Sequence, residues 1–400
     1  MNRYISKLSY SALLLMFAGS MTFVSCDDDD DDNDGADPVV TYFRTTHAEQ
    51  ADSMITAASL GQMIAIIGEN LNNVKEISFN DQKAKLSTAY ITENSIIVTV
   101  PNAVPGEITN KMYITAKNGN VIPVDFTASI PAPVISSMDC EYVADGETAY
   151  INGNYFVKTS EADIEVFFPG NVKAEIDEEK STASRLAVKV PEGAVSGALT
   201  VKTNFGTTVS SLYFRDDRNM MLDFETPFNG WGKHTTNTEE SLFNTYVHFY
   251  DPTTLKGWNE HATLLYSVAT EGTTYTPEID DTKNYALKFE CRVNNQWSLV
   301  SLYIRFFESG EAAGNNAEYS PAYCWEPWAT GTYGPTGWRT ITIPISEFHY
   351  TSTGTDAKKT HDVHNIGGIF MFVRGGTGTD TETKQEVDMD IDNIRIVPID

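Results

Sequence analysis

Short alternations of apolar and polar residues recur along most of this chain, and a period of two is typical of β-strands that bury one face. One run places Val300, Leu302, Ile304 and Phe306 on the same side. The other side of that run carries Trp297, Ser301, Tyr303 and Arg305, and the run Ile369–Val373 alternates in the same way with Phe370, Phe372 and Arg374. The pattern predicts an all-β fold of antiparallel sheets, each packed on one side with its second face partly available to a ligand.

The first half of the chain contains two copies of one strand-rich unit. Gly68, Pro101 and Gly119 in the first copy recur as Gly153, Pro191 and Gly206 in the second, at offsets of 85, 90 and 87 residues. Such a period suits a small sandwich of short strands. We predict that Gly and Asn in the Gly-x-Asn pairs occupy tight turns with positive φ.

The opening of the first copy, Gly61 to Leu71 (GQMIAIIGENL), resembles the IPT/TIG family of immunoglobulin-like domains. In the second copy Tyr155 and Phe156 replace the leucine. The resemblance implies two immunoglobulin-like sandwiches, over 38–131 and 132–215. Neither copy contains tryptophan, a clustered acid pair or a histidine group, so we interpret both as spacers.

The composition changes in the remaining part, 216–400, because all six tryptophans lie at or beyond position 231. It opens with MLDFETPFNGW and closes with VDMDIDNIRIVPI, where the alternation breaks and predicts a β-bulge near Asn393. These ends resemble jelly-roll carbohydrate-binding modules, which implies a larger jelly-roll-like β-sandwich. The same resemblance implies a structural calcium ion, with Asp223, Glu225 and Asp392 as candidate ligands. Solvated acids at strand ends are the alternative.

The segment from Tyr319 to Phe348 combines aromatic residues with so many prolines and glycines that its first part must be a rigid surface loop. Exposed aromatic rings favour a docked ligand, and sugars present flat apolar faces to such rings. The candidate ligand-binding residues are Trp297, Trp325, Trp328, Tyr323 and Arg305. A lid over the hydrophobic core is the alternative for the rings, and a salt bridge to Glu308 is the alternative for Arg305. We expect Trp338, which opens the next strand, to be structural.

Charge and cysteine content narrow the function further. A net charge of −27 excludes a nucleic-acid partner. Cys140, Cys291 and Cys324 remain after the leader, and an odd number argues against a disulfide framework. Alternation makes Cys291 an inward-facing hydrophobe, although pairing with Cys324 stays open. The sequence contains no phosphate loop or G-x-S-x-G motif, and carboxylates from distant positions leave glycoside hydrolysis open.

The first residues read as an export signal, with Arg3 and Lys7 before a short apolar core. The run from Phe23 to Cys26 resembles a bacterial lipobox, which implies a signal peptide over 1–26 with Cys26 lipidated. An ordinary cleaved signal is the alternative. The aspartate-rich stretch 27–37 predicts a disordered tether, and it resembles the acidic signal that directs lipoproteins to the cell surface in Bacteroidetes.

The order of these parts resembles the surface glycan-binding proteins of Bacteroidetes polysaccharide-utilisation systems. That resemblance implies non-catalytic binding of a plant cell-wall polysaccharide such as xyloglucan or another β-glucan or hemicellulose. It also implies a lipid-anchored position on the outer membrane, facing the exterior, beside a glycan transporter. Two other classes stay open: a glycoside hydrolase or polysaccharide lyase on the C-terminal sandwich, and a protein-binding adhesin.

Overall fold

The computed structural model describes residues 35–47, 53–159, 162–226, 232–252, 262–272, 274–310, 321–331, 333–349, 360–375 and 385–399. Nearly all regular structure in these ranges is β-strand, and α1 (Val268–Glu271) is a single turn. Short 3-10 turns lie at Leu71–Asn73, Thr88–Tyr90, Glu178–Lys180, Pro327–Thr330, Ile345–Glu347 and Val363–Asn365. The predicted all-β class is confirmed. Among the described residues, no helix has the length and apolar character needed to cross a membrane.

The first repeat is a sandwich of two four-stranded sheets. Its strands are β1 (Val39–Thr45), β2 (Met54–Ile55), β3 (Ala57–Ser59), β4 (Met63–Glu69), β5 (Val74–Phe79), β6 (Gln82–Lys83), β7 (Ser95–Thr99), β8 (Lys111–Ala116), β9 (Val121–Asp125) and β10 (Thr127–Ser129). The sheets run β2-β1-β4-β7 and β6-β5-β8-β9, and β3 pairs with β10 in parallel. Inward residues such as Ile66, Ile77 and Phe126 form the core between them.

The second repeat has the same plan. Its strands are β11 (Val134–Met138), β12 (Thr148–Asn154), β13 (Glu165–Phe168), β14 (Val172–Lys173), β15 (Glu175–Ile176), β16 (Arg185–Lys189), β17 (Gly197–Thr203) and β18 (Gly206–Phe214). They form sheets β11-β12-β16-β15 and β14-β13-β17-β18 around a separate core.

The equivalent glycines Gly68 and Gly153 allow the neighbouring backbone strand to approach closely in each repeat. A Cβ on Gly68 would lie 1.9 Å from the carbonyl oxygen of Val39, and one on Gly153 would lie 1.8 Å from that of Val134. Neither glycine has a positive φ, so that part of the prediction is wrong. The left-handed residue lies two positions later, where Asn70 has φ 58° and Tyr155 has φ 61°.

The C-terminal domain is a larger two-sheet sandwich. Its strands are β19 (Met220–Leu222), β20 (Thr235–Asn237), β21 (Tyr246–Asp251), β22 (Ala262–Ser267), β23 (Tyr285–Val293), β24 (Val300–Glu308), β25 (Ala322–Trp325), β26 (Arg339–Pro344), β27 (Ile366–Gly375) and β28 (Val387–Pro398). One sheet has the order β20-β21-β28-β23-β26, with β19 also paired to β28, and the other has the order β22-β27-β24-β25. The predicted bulge is confirmed, because Asn393 has φ 49° and the β23–β28 register shifts between Lys288 and Glu290.

A buried ionic network joins the second repeat to the C-terminal domain. Glu141 accepts hydrogen bonds from Lys288 and from Arg395, the latter at 2.7 Å, and Arg395 also donates to Glu290 at 2.7 Å. Thr340 donates from its backbone to the Asp139 carbonyl at 2.9 Å and accepts from the Glu141 backbone at 2.7 Å. Breaking a buried pair leaves an uncompensated charge, which is costly. The network therefore holds the second repeat against the six-stranded sheet.

Candidate functional site

Two of the predicted sugar platforms, Trp297 and Trp325, are core residues. Their side chains are only 3% and 8% exposed, and their rings meet edge to face at 4.8 Å between centroids. The Trp297 backbone donates to Tyr333 at 2.8 Å, so the aromatic loop folds back over one end of the sandwich. The expectation of exposed platforms is wrong for these two, and the alternative of a lid over the core describes them.

Trp328 and Tyr323 keep partial exposure. The Trp328 indole nitrogen donates to the Val300 carbonyl, which fixes the ring at the edge of β24, and Tyr323 packs against Phe348 with 5.8 Å between ring centroids. Trp338 is also half-exposed, and it packs edge to face against Tyr246, so it makes the structural contacts expected of it. Trp231 and Trp258 lie outside the described residues, as does Cys26.

A second aromatic cluster lies on the outer face of the four-stranded sheet. Alternate residues of a strand point to opposite faces, and the core takes Leu302, Ile304, Met371 and Val373. The opposite side carries a separate buried cluster that includes Leu265, Tyr303, Phe307, Phe370 and Phe372. We call this surface, together with Arg305 and Arg374, the aromatic face. Its signal was visible in the sequence as aromatic residues at the non-core positions of two strands.

The rings of the aromatic face lie close together. Tyr303 and Phe372 have centroids 4.7 Å apart, and Phe370 and Phe372 have centroids 4.9 Å apart. The Arg374 guanidinium lies 4.9 Å from the Tyr303 centroid. Sugar C–H faces pack on flat rings, and guanidinium groups donate to hydroxyls. The face therefore has the composition of a saccharide site, but its central rings are buried, with Tyr303, Phe370 and Phe372 at most 6% exposed.

Arg305 lies on this face, as the alternation predicts. Its guanidinium is 4.6 Å from the Phe307 centroid, and the residue is buried. The prediction that it shares a face with Trp297 is wrong, because Trp297 lies beyond the end of the strand and turns into the core. A role for Arg305 in ligand binding stays a prediction.

Tyr303 supplies a polar group within the aromatic face. Burial raises the pKa of Tyr303 to about 12, so its hydroxyl keeps its proton at physiological pH. That hydroxyl is buried and has no hydrogen-bond partner among the residues that the structure describes. An unsatisfied buried donor is costly, so this hydroxyl needs a partner such as a water molecule or a ligand.

One end of the aromatic face is more open than its centre. Arg374 and Cys324 are half-buried there, and Leu299 at the start of β24 is 40% exposed. Trp328 borders the same end through its bond to Val300. Cys324 is a free thiol, as is Cys291, which is buried in the core as predicted. The partly exposed groups of the aromatic face therefore lie at this end.

The predicted calcium ligands do not form a metal cluster by side chains alone. In the part of the chain that the structure describes, no group of three or more His, Cys, Asp or Glu side chains could hold a metal ion. Asp392 is nevertheless unusual, because burial, with the nearby Glu290, Glu225 and Asp223 adding to it, raises its pKa to about 9. Within the described ranges, one of its carboxylate oxygens has no hydrogen-bond partner. Calcium binding stays a prediction.

Comparison with known families identifies two of the domains. Residues 214–398 match the model described as the surface glycan-binding protein B xyloglucan binding domain, and residues 52–128 match the IPT/TIG domain. The C-terminal domain is thus similar to the xyloglucan binding domain of surface glycan-binding protein B. The predicted resemblance is thus confirmed for the first repeat and for the C-terminal domain.

Two solved structures are similar to this chain. The crystal structure of a surface glycan-binding protein B from Prevotella bryantii superposes with a TM-score of 0.73 and 26% identity, covering 91% of this chain and 99% of that one. One from a complex xyloglucan utilisation locus of Bacteroides uniformis covers 91% and 100%, with 18% identity and a TM-score of 0.49.

A curated IPT/TIG domain-containing protein of Bacteroides ovatus is 34% identical over 143 residues, which is 34% of this chain. That match spans 28% of the relative's own length.

Proposed function

We propose that the protein binds a neutral plant cell-wall polysaccharide at the cell surface without cleaving it, and that the aromatic face is the binding surface. The observation that carries the proposal is that the four-stranded sheet has a hydrophobic cluster on each side. One cluster is the core between the two sheets, and Tyr303, Phe370 and Phe372 belong to the other. These rings are at most 6% exposed, so the proposal places the ligand at the partly exposed end of the face, beside Arg374.

Xyloglucan is the glycan that we propose first, with other β-glucans and hemicelluloses as the related class. The family model that matches 214–398 bears xyloglucan in its description, and the net charge of −27 disfavours an anionic polysaccharide. Arginine side chains among aromatic rings provide hydrogen bonds to hydroxyls without demanding a charged ligand.

We further propose that Cys26 carries a lipid that anchors the protein to the outer membrane, with the acidic stretch 27–37 as its tether. The lipobox-like sequence and the aspartate run support this placement. In that position the protein would hold a polymer near an outer-membrane glycan transporter. A Cys26→Ala variant should appear unacylated in the soluble fraction, and membrane-held, acylated Cys26→Ala protein would contradict the anchor.

The binding proposal is tested with Arg374→Ala, because Arg374 lies at the open end of the aromatic face. Calorimetry with a xyloglucan oligosaccharide, and affinity electrophoresis with the polymer, should both show at least about tenfold weaker binding. The matched control is Arg44→Ala, a half-buried arginine of the first repeat. Unchanged binding by Arg374→Ala would remove the aromatic face from the proposal. Release of shortened oligosaccharides by the wild-type protein would show an enzyme instead.

A further inference from the structure

A cleft of about 480 Å³ lies between the second repeat and the C-terminal domain. Tyr150 and Arg185 line it from the repeat, and Trp338 and Arg339 line it from the other domain. Cavities of this size are typical of small-ligand sites. The cleft is separate from the aromatic face, because Arg339 begins β26 in the six-stranded sheet.

The two aromatic rings of the cleft are held in fixed orientations while staying partly exposed. The Trp338 indole nitrogen donates to the Glu240 carbonyl at 3.0 Å, and Tyr246 meets the indole edge to face at 5.3 Å. Across the cleft, the Arg185 guanidinium lies 4.0 Å from the Tyr150 ring centroid. Rings that are already ordered lose little side-chain entropy when a ligand packs on them.

The polar groups of the cleft are balanced in charge. Asp139 accepts from Arg185 at 2.6 Å and from Asn152 at 2.9 Å, and Arg339 lies 3.9 Å from the same carboxylate. Glu147 adds a second acid to the lining. Two arginines beside two acids give no net positive potential, which a phosphate or sulfate ligand would require. Donors and acceptors side by side suit the hydroxyl groups of a neutral sugar.

The walls of the cleft cannot easily separate. The Thr340 backbone donates to the Asp139 carbonyl across the domain boundary, and Thr340 directly follows Arg339 in sequence. The buried contacts of Glu141 with Lys288 and Arg395 lie directly behind this bond. The cleft is therefore a pre-organised cavity, since a buried network fixes the two domains on either side of it.

From these observations we infer that the cleft is a second saccharide-binding site, which takes a short stretch of the same neutral glycan that the aromatic face binds. The inference rests on the proposed function, because it assigns the cleft the same class of ligand. Two sites on one protein engage a long polymer together, so the second contact gains from a high effective concentration. A short oligosaccharide occupies one site at a time and lacks this gain.

The test uses the full mature protein with xyloglucan polymer in affinity electrophoresis and with a xyloglucan oligosaccharide in calorimetry. Tyr150→Ala and Arg339→Ala each remove one lining group, and Arg339 is exposed, so its loss leaves the fold intact. Both variants should hold the polymer at least about threefold more weakly, with oligosaccharide affinity at the aromatic face unchanged. Tyr90→Ala, which changes a 56% exposed tyrosine of the first repeat, is the matched control.

The outcomes separate the two proposals. Wild-type protein that ignores both polymer and oligosaccharide overturns glycan binding itself. If Arg374→Ala weakens binding while Tyr150→Ala and Arg339→Ala bind at the wild-type level, only the proposed site in the cleft is overturned. If Tyr150→Ala does not fold, the result for Arg339→Ala decides.

Discussion

The two sheets of the C-terminal domain share one core but present opposite chemistry on their outer faces. The four-stranded sheet carries the aromatic face, with Tyr303, Phe370 and Phe372. On the six-stranded sheet, the positions that alternate with the core hold buried charges, which we call the charged face: Lys288, Glu290, Asp390, Asp392 and Arg395. The strand pattern predicts an inward apolar side for both sheets. The two outer faces therefore differ because each has different surroundings on the side away from the core.

The partners of the charged face explain its composition. Lys288 and Arg395 bind Glu141 of the second repeat, and Asp390 accepts from His248 and Arg292 at 2.7 Å each. Buried charges persist where they are paired and hydrogen-bonded. One outer face thus fixes the domain to its neighbour within the chain, and the other is the face that we propose for the ligand.

Removing Glu141 should produce the largest effect, because it leaves Lys288 and Arg395 buried without their shared partner. We expect Glu141→Ala to lower the free energy of unfolding by about 3–5 kcal/mol. Scanning calorimetry should show a lower melting temperature for the second repeat and the C-terminal domain together. Glu147→Ala, an exposed acid of the same repeat, should change stability by less than about 0.5 kcal/mol. An unaltered melting profile for Glu141→Ala would show that the charged face does not hold the domains together.

Replacing an outer ring should affect binding more than folding. Phe372→Leu keeps most of the apolar volume and should cost less than about 1.5 kcal/mol, but it removes a flat ring from the aromatic face. Glycan affinity, measured by calorimetry, should fall about tenfold, which corresponds to about 1.4 kcal/mol.

Phe306→Leu provides the comparison with the core side of the same sheet. Its stability should fall by a similar amount while its affinity stays at the wild-type value. Equal losses of affinity in both variants would mean that the aromatic face acts only through the fold.

Much of this arrangement could be predicted from the sequence, and the reasons are local. Alternation located the strands, placed Cys291 inward and revealed the bulge at Asn393, because these features depend on neighbours in the chain. The aromatic side of β27 was also visible. The network of Glu141 and Arg395 was not, since the two residues are 254 positions apart and neither has a local signature.

The aromatic loop shows a different limit of sequence reasoning. Prolines and glycines around Trp325 and Trp328 predict a loop, but they are equally compatible with a ring that points outward and one that turns onto the core. The structure buries Trp325 and leaves Trp328 half-exposed, although the two are three residues apart. The bond from Trp328 to Val300 and the contact of Trp297 with Trp325 decide this difference, and both are tertiary contacts.

Asp392 offers a smaller, pH-dependent test of the charged face. Burial raises the pKa of Asp392 to about 9, whereas the carboxyl group of an unfolded Asp titrates near 3.9. At a pH between these two values, the protein therefore takes up a proton when it folds. Stability therefore falls as pH rises through this window. In EDTA, Asp392→Asn should raise the melting temperature at pH 8 by about 2–4 °C, or about 1 kcal/mol, and by less at pH 5.

Calcium bound at Asp392 would produce the opposite result. Added calcium would then raise the melting temperature of the wild-type protein, and Asp392→Asn would lose that response. A melting temperature that is independent of both calcium and pH would contradict both accounts of this carboxyl group.

The smallest expected effect on stability is that of Tyr303→Phe. This variant tests whether the Tyr303 hydroxyl has a structural role or binds a ligand. The hydroxyl is buried and no described residue bonds to it, so its removal should leave stability unchanged or raise it by about 1 kcal/mol. If a sugar hydroxyl supplies the missing partner, the same change should weaken oligosaccharide binding about three- to tenfold, because the bound sugar then loses that bond. Tyr42→Phe, at a half-buried tyrosine of the first repeat, is the control and should change neither quantity. A Tyr303→Phe protein that binds as tightly as the wild type would show that the aromatic face holds its ligand through ring contacts and arginines alone.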